Sequence, residues 1–95
     1  MMKILAVCGS GLGTSFMVEM NINQILGELG VTDVEVSHSD LSSAVPGDAD
    51  VYFLAKDIAD GGAHLGDVVV MESIIDMDEL RTKVKKVLEE RGIIL

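Results

Sequence analysis

Apolar positions fall along this chain in short continuous runs that alternate with stretches of helical periodicity. Lys3 to Cys8 contains Ile4-Leu5-Ala6-Val7 without a polar break and stops at glycine, the pattern of a strand buried on both faces. Val18, Ile22, Ile25, Leu26 and Leu29 then recur at helical spacing, with Thr14 or Ser15 expected as N-cap and Gly30 as the stop. Met17 and Met20 flank this stripe and read as core filler. Val31 to His38 alternates, Val34 and Val36 against Asp33, Glu35 and Ser37, which predicts a second strand at a sheet edge.

Ser39 to Pro46 reads as a connection with room for one helical turn over Leu41-Ser42-Ser43-Ala44, and Pro46-Gly47-Asp48 as a turn. A third strand is expected over Val51 to Ala55, then a short helix capped by Asp57 and ended by Gly61-Gly62, then a fourth strand over Val68 to Met71. The last helix starts at Asp76-Met77-Asp78-Glu79, a capping-box-like sequence. It places Met77, Leu80, Val84, Val87 and Leu88 on one face and ends at Gly92. Strands and helices in alternation predict an α/β fold: a three-layer αβα sandwich around a four-stranded parallel sheet, with residues 1–95 as one domain.

The stretch that joins the first strand to the first helix is Cys8-Gly9-Ser10-Gly11-Leu12-Gly13-Thr14-Ser15. Its glycines allow a tight turn with N–H groups facing inward, and the following helix adds its unpaired N–H groups and positive dipole end. That arrangement cradles an anion. It also carries a nucleophile, because the field that favours a bound phosphate favours thiolate at Cys8. Sites in parallel sheets lie beyond the carboxyl ends of the strands, where Cys8 is expected.

Several chemistries that share glycine-rich loops fail on residue tests. A nucleotide-binding P-loop needs Gly-Lys-Ser/Thr, and no lysine is present here; the glycine spacing also misses the dinucleotide fingerprint. A single cysteine excludes a Cys-x-x-Cys pair, and two distant histidines offer no metal-ligand spacing, so neither metal nor cofactor is expected. Cysteine phosphatases close a similar loop with an arginine at the position occupied here by Thr14. Without that clamp the loop still holds a phosphoryl group through backbone N–H groups and the hydroxyls of Ser10, Thr14 and Ser15, but stabilises transfer to water poorly. A phosphocarrier has that requirement.

Charge adds to the picture. The net charge of −9 is uneven: residues 1–80 hold only Lys3 and Lys56 against fourteen acidic side chains, while residues 81–95 hold five basic and two acidic ones. An acidic body with one tyrosine argues against nucleic acid. No apolar run reaches the roughly 18 residues of a membrane span, and no segment reads as a signal peptide; with one cysteine, the expected setting is cytoplasmic and reducing. His38, His64, Asp57, Asp60 and Asp67 read as surface or loop residues, with the carboxylates as a solvated rim.

The run Cys8-Gly9-Ser10-Gly11-Leu12-Gly13-Thr14-Ser15 between an apolar strand and a helix resembles the IIB component of the bacterial phosphoenolpyruvate-dependent sugar phosphotransferase system. Both the ascorbate/galactitol and the lactose/cellobiose branches share it. That loop, the helix start Phe16-Met17-Val18-Glu19-Met20 and the stretch His38-Ser39-Asp40 together make the ascorbate-type member look nearest. The resemblance implies a relay in which a IIA phosphohistidine donates to Cys8, and the phosphocysteine donates to a sugar, L-ascorbate in that branch, held by a membrane IIC transporter. Gly9, Ser10, Gly11, Leu12, Gly13, Thr14 and Ser15 would form the phosphate loop. The alternatives are a IIB of the lactose/cellobiose or galactitol type with a different sugar, and a regulatory IIB-like module whose phosphorylation is read by a partner. A chain ending at Leu95 without an appended regulatory segment favours transport.

Overall fold

The computed structural model describes residues 2–9, 13–73 and 75–94. Its elements are β1 (Met2–Cys8), α1 (Gly13–Leu29), β2 (Val34–Asp40), β3 (Val51–Ala55), a 3₁₀ helix (Lys56–Leu65), β4 (Val68–Met71) and α2 (Met77–Glu90). The four strands pair in parallel in the order β2-β1-β3-β4. The expected parallel α/β sandwich is therefore present, with β2 at an edge.

β1 is the middle of the molecule because both its faces are apolar. Ile4 and Ala6 join one core with Val51 and Phe53 of β3, Val18, Ile22, Ile25 and Leu26 of α1, and Leu80, Val84 and Leu88 of α2. Leu5 and Val7 join the other with Tyr52 and Leu54 of β3, Ala44 and Leu65. The period-two alternation of a strand thus divides four consecutive apolar residues between two layers.

The second layer differs from expectation. No helix joins β2 to β3: the Asp40 carboxylate accepts from the Ser42 hydroxyl at 2.5 Å, and its carbonyl accepts from the N–H groups of Ser43 and Ala44 at 3.2 and 3.1 Å. Such short-range partners for polar side chains compete with helix. The Tyr52 hydroxyl donates to the Val45 carbonyl at 2.6 Å and accepts from the Ala49 N–H at 3.1 Å, tying the loop onto β3.

After β3 the chain forms a 3₁₀ helix that starts from Ala55 without a side-chain cap, so Asp57 does not cap it, and it runs through Gly61-Gly62 to Leu65. Gly62 serves packing there: a Cβ on it would lie 2.1 Å from Leu54 Cδ2.

Thr14 and Ser15 fall inside the first turn of α1, not at its N-cap, because the helix already begins at Gly13. Met20 is 54% exposed and is not core filler. Both helices close with a Schellman pattern at a positive-φ glycine. Val31 N–H bonds Leu26 O at 2.9 Å beyond Gly30, and Ile93 N–H bonds Leu88 O at 2.9 Å beyond Gly92. Asp76 caps α2 by accepting from the N–H groups of Asp78 and Glu79 at 3.0 and 3.1 Å. The Glu79 carboxylate does not return to the cap residue. It takes the Glu72 and Ser73 N–H groups at 2.7 and 2.9 Å and the Lys83 amino group at 2.8 Å, fastening α2 to the end of β4. Among the described residues no helix is long and apolar enough to cross a membrane.

Two stability measurements check these contacts. Gly62→Ala forces a methyl group against the fully buried Leu54, and its urea midpoint should fall by the equivalent of about 1–3 kcal/mol. The Lys83 amino group, then the backbone N–H groups, hold the Glu79 carboxyl down from 4.5 to about 2. Its stabilising contribution is therefore complete above pH 4.5 and lost as pH falls toward 2. Across that interval the urea midpoint of the parent protein should fall more steeply than that of Glu79→Gln.

Candidate functional site

The chain leaves β1 toward α1 and β2 on one side, while β3 lies against β1 on the other, so the carboxyl end of β1 is the switch point of the sheet. Cys8 occupies it. Its residue is 5% exposed, and its Sγ lies 3.1 Å from the Ser15 hydroxyl and 3.7 Å from the Ser39 carbonyl. The Leu41 N–H donates to the Cys8 carbonyl at 2.8 Å, which fixes the strand end against β2.

Helix geometry sets the electrostatics. The first N–H groups of α1, from Gly13 through Ser15, have no carbonyl partner within the helix, and they form its positive end. Ser15 is 1% exposed, and its helical position brings its hydroxyl back onto the sulfur. On the opposite side the start of the 3₁₀ helix presses against Gly9, where a Cβ would lie 3.0 Å from Ile58 Cγ2. Between these elements lies a cavity of about 230 Å³. Cys8, Gly9, Thr14, Ser15, Asp57 and Ile58 line it, with Val7, Val18, Phe53, Leu54, Ala55 and Met71 as an apolar wall. A buried sulfur, a hydroxyl and helix N–H groups around a cavity of this size suit a small anion covalently attached to Cys8.

Of the residues expected in the phosphate loop, the structure brings Gly9, Thr14 and Ser15 to the cavity with Cys8. Gly13 starts α1, and Ser10, Gly11 and Leu12 lie outside the described residues. His38 is not in the cavity lining. It sits opposite Ala6 on β2, with its Nδ1 2.5 Å from Glu19 Oε1 and its ring edge-on to Phe16 at 5.4 Å. His64 is exposed on the 3₁₀ helix. Of the three rim carboxylates only Asp57 reaches the cavity; Asp60 is exposed outside it, and Asp67, preceding β4 at the other end of the sheet, pairs with Arg91 at 2.7 Å. Asp40 is Cys8's register partner, yet hydrogen bonds from Ser42 and then Ser43 hold its carboxyl below the usual range.

Three participants carry no local sequence signal: the Ser39 carbonyl, the Ile58 buttress behind Gly9, and the wall from Phe53 and Met71. Each depends on strand order, which brings residues far apart in the chain to one rim. Strand order was the missing information.

Comparison with known proteins bears on the same residues. Residues 3–90 match the family described as PTS system, lactose/cellobiose specific IIB subunit. Among solved structures, the lactose-specific IIB component domain of the phosphoenolpyruvate:carbohydrate phosphotransferase system from Streptococcus pneumoniae superposes with a TM-score of 0.62 at 20% identity, covering 93% of this chain and 95% of that one. A low molecular weight protein tyrosine phosphatase from Bacillus subtilis shares the fold with a TM-score of 0.57 at 14% identity, covering 96% and 95%. No curated protein sequence matches.

The family match corrects the ascorbate/galactitol assignment, including its ascorbate-specific form. Of the stretches that suggested it, the loop lies at the cysteine, while His38 and Phe16 contact each other outside the cavity lining. The chain belongs to the lactose/cellobiose-specific IIB subunit family of the phosphotransferase system, and is a phosphocarrier, a phosphotransferase working between a IIA and a IIC component.

Proposed function

We propose that Cys8 is the phosphoryl carrier, taking the group from a IIA phosphohistidine and passing it to a sugar of the lactose/cellobiose class held by IIC at the cytoplasmic side of the membrane. The observation that carries this is the sulfur at the carboxyl end of β1, 3.1 Å from the Ser15 hydroxyl at the positive end of α1.

In the first half-reaction the Cys8 sulfur attacks phosphorus as the thiolate, the histidine N–P bond breaks and an S–P bond forms. Charge on the moving group is met by the helix N–H groups and the hydroxyls of Thr14 and Ser15, with Gly9 to Gly13 completing the loop. In the second half-reaction a sugar hydroxyl attacks, the S–P bond breaks and an O–P bond forms. Thr14 offers a hydroxyl where a phosphatase carries a guanidinium, so the phosphocysteine outlives the interval between partners. The apolar wall of Phe53 and Met71 supports the same end by limiting water beside the sulfur.

Charging with a phosphohistidine-bearing IIA protein tests the reading. The parent protein should gain the mass of one phosphoryl group on Cys8, and Cys8→Ser should gain none while keeping its urea midpoint; phosphoryl transfer by Cys8→Ser at the parental rate would refute the role. Ser15→Ala removes a hydrogen bond to an anionic sulfur or phosphoryl oxygen, and charging should slow about tenfold.

A further inference from the structure

We propose that Asp57 is the proton acceptor for the sugar-forming half-reaction. The inference rests on Cys8 being the carrier and adds a residue that the carrier reading leaves without a role.

The two half-reactions differ in one proton. When a thiolate attacks phosphohistidine, the nucleophile has no proton to lose. When a sugar hydroxyl attacks phosphocysteine, the S–P electron pair leaves on Sγ, the new O–P bond forms, and the hydroxyl proton needs a base. The departing sulfur cannot supply it, because in-line displacement places nucleophile and leaving group on opposite sides of phosphorus. A base supplied by this chain must therefore face the cavity from another residue.

Among the described residues that line the cavity, Asp57 is the only ionisable side chain other than Cys8. Other carboxylates are engaged or lie outside the cavity: Asp40 bonds Ser42, Glu19 bonds His38, Glu72 pairs with Lys56 at 3.6 Å, and Asp60 is exposed outside the lining. Asp57 has no hydrogen bond or ion pair among the described residues, and it is exposed, so a hydroxyl presented by a docked partner can reach it. Its place is fixed by the next residue, since Ile58 packs against Gly9 at the start of the cysteine loop. The proton balance closes with a neutral Asp57 carboxylic acid, a Cys8 thiolate and a sugar phosphate.

The test uses two small acceptors of different proton demand. Protein charged on Cys8 by a IIA protein is freed of donor and offered glycerol, a hydroxyl nucleophile, or imidazole, which attacks through a nitrogen lone pair. Glycerol phosphate formation by Asp57→Asn should fall about a hundredfold more than phosphoimidazole formation, the low end of general-base contributions. Asp57→Glu should restore most of the difference. Equal loss with both acceptors would mark a structural role and overturn the proposal, as would glycerol transfer at the parental rate. If the parent protein never becomes charged on Cys8, the carrier reading falls and this inference falls with it; normal charging with an unchanged acceptor ratio removes only the role of Asp57.

Discussion

Burial of β1 on both faces is the constraint from which the site follows. A strand whose four consecutive apolar side chains enter two different cores belongs inside a layered fold, and here it also pairs with β2 on one side and β3 on the other. That central position fixes where its last residue emerges. Cys8 is thereby held at the one point of the sheet where neighbouring connections run in opposite directions and leave a crevice. A cysteine at the end of an edge strand would have solvent on one flank, whereas here Ser15 of α1 and the Ser39 carbonyl of β2 both reach the sulfur.

The two faces contribute differently to that crevice. On one face α1 is locked by Val18, Ile22, Ile25 and Leu26, so its amino end is held rigidly enough for a helical residue to contact the sulfur. On the other face packing is thinner and rests on a 3₁₀ helix, a geometry with poorer hydrogen bonds. It is retained because Gly62 lets the chain approach Leu54 and because Leu65 is buried beneath it. The rigid side supplies hydrogen-bond donors and the 3₁₀ side supplies a carboxylate and a buttress. Phosphoryl binding and proton removal thus come from separate layers.

Much of this was legible in the chain. The β3 and β4 boundaries, the parallel sheet, the buried stripe of α1 and the Asp76 cap follow from apolar periodicity and local capping chemistry, which act over a few residues. Cys8 stood out because an apolar strand runs into a glycine-rich loop and then a helix. What was not legible depends on pairs far apart in sequence. Gly62 has the residue type of a helix stop, but its place is set by Leu54 of β3, and Asp57 has the type of a helix cap, but the 3₁₀ helix already starts at Lys56. Met20 fits a helical spacing yet is exposed, because the spacing beside a stripe does not say whether a neighbour covers it. The sugar branch is not legible in the cysteine loop either, because residues that cradle a phosphoryl group report that group's charge and shape and say nothing of the sugar.

The chain shares its fold with a tyrosine phosphatase, and on the carrier reading proposed above a phosphocysteine on Cys8 has to outlast contact with water. Carrying and hydrolysing a phosphoryl group on a sulfur share their first requirement, a thiolate beside positive potential. They part at the stabilisation of charge as the S–P bond breaks. A guanidinium with two parallel N–H donors matches the equatorial oxygens of the transition state better than those of the resting ester, and so lowers the barrier to any nucleophile, water included. Thr14 offers one neutral hydroxyl at that position, and Phe53 and Met71 offer no polar group at all. The barrier then falls mainly when a docked acceptor brings its hydroxyl into line near a base. In a carrier, selectivity against water comes from what the site withholds until that moment, and a single uncommitted carboxylate at the cavity lip is enough to make the acceptor's arrival count.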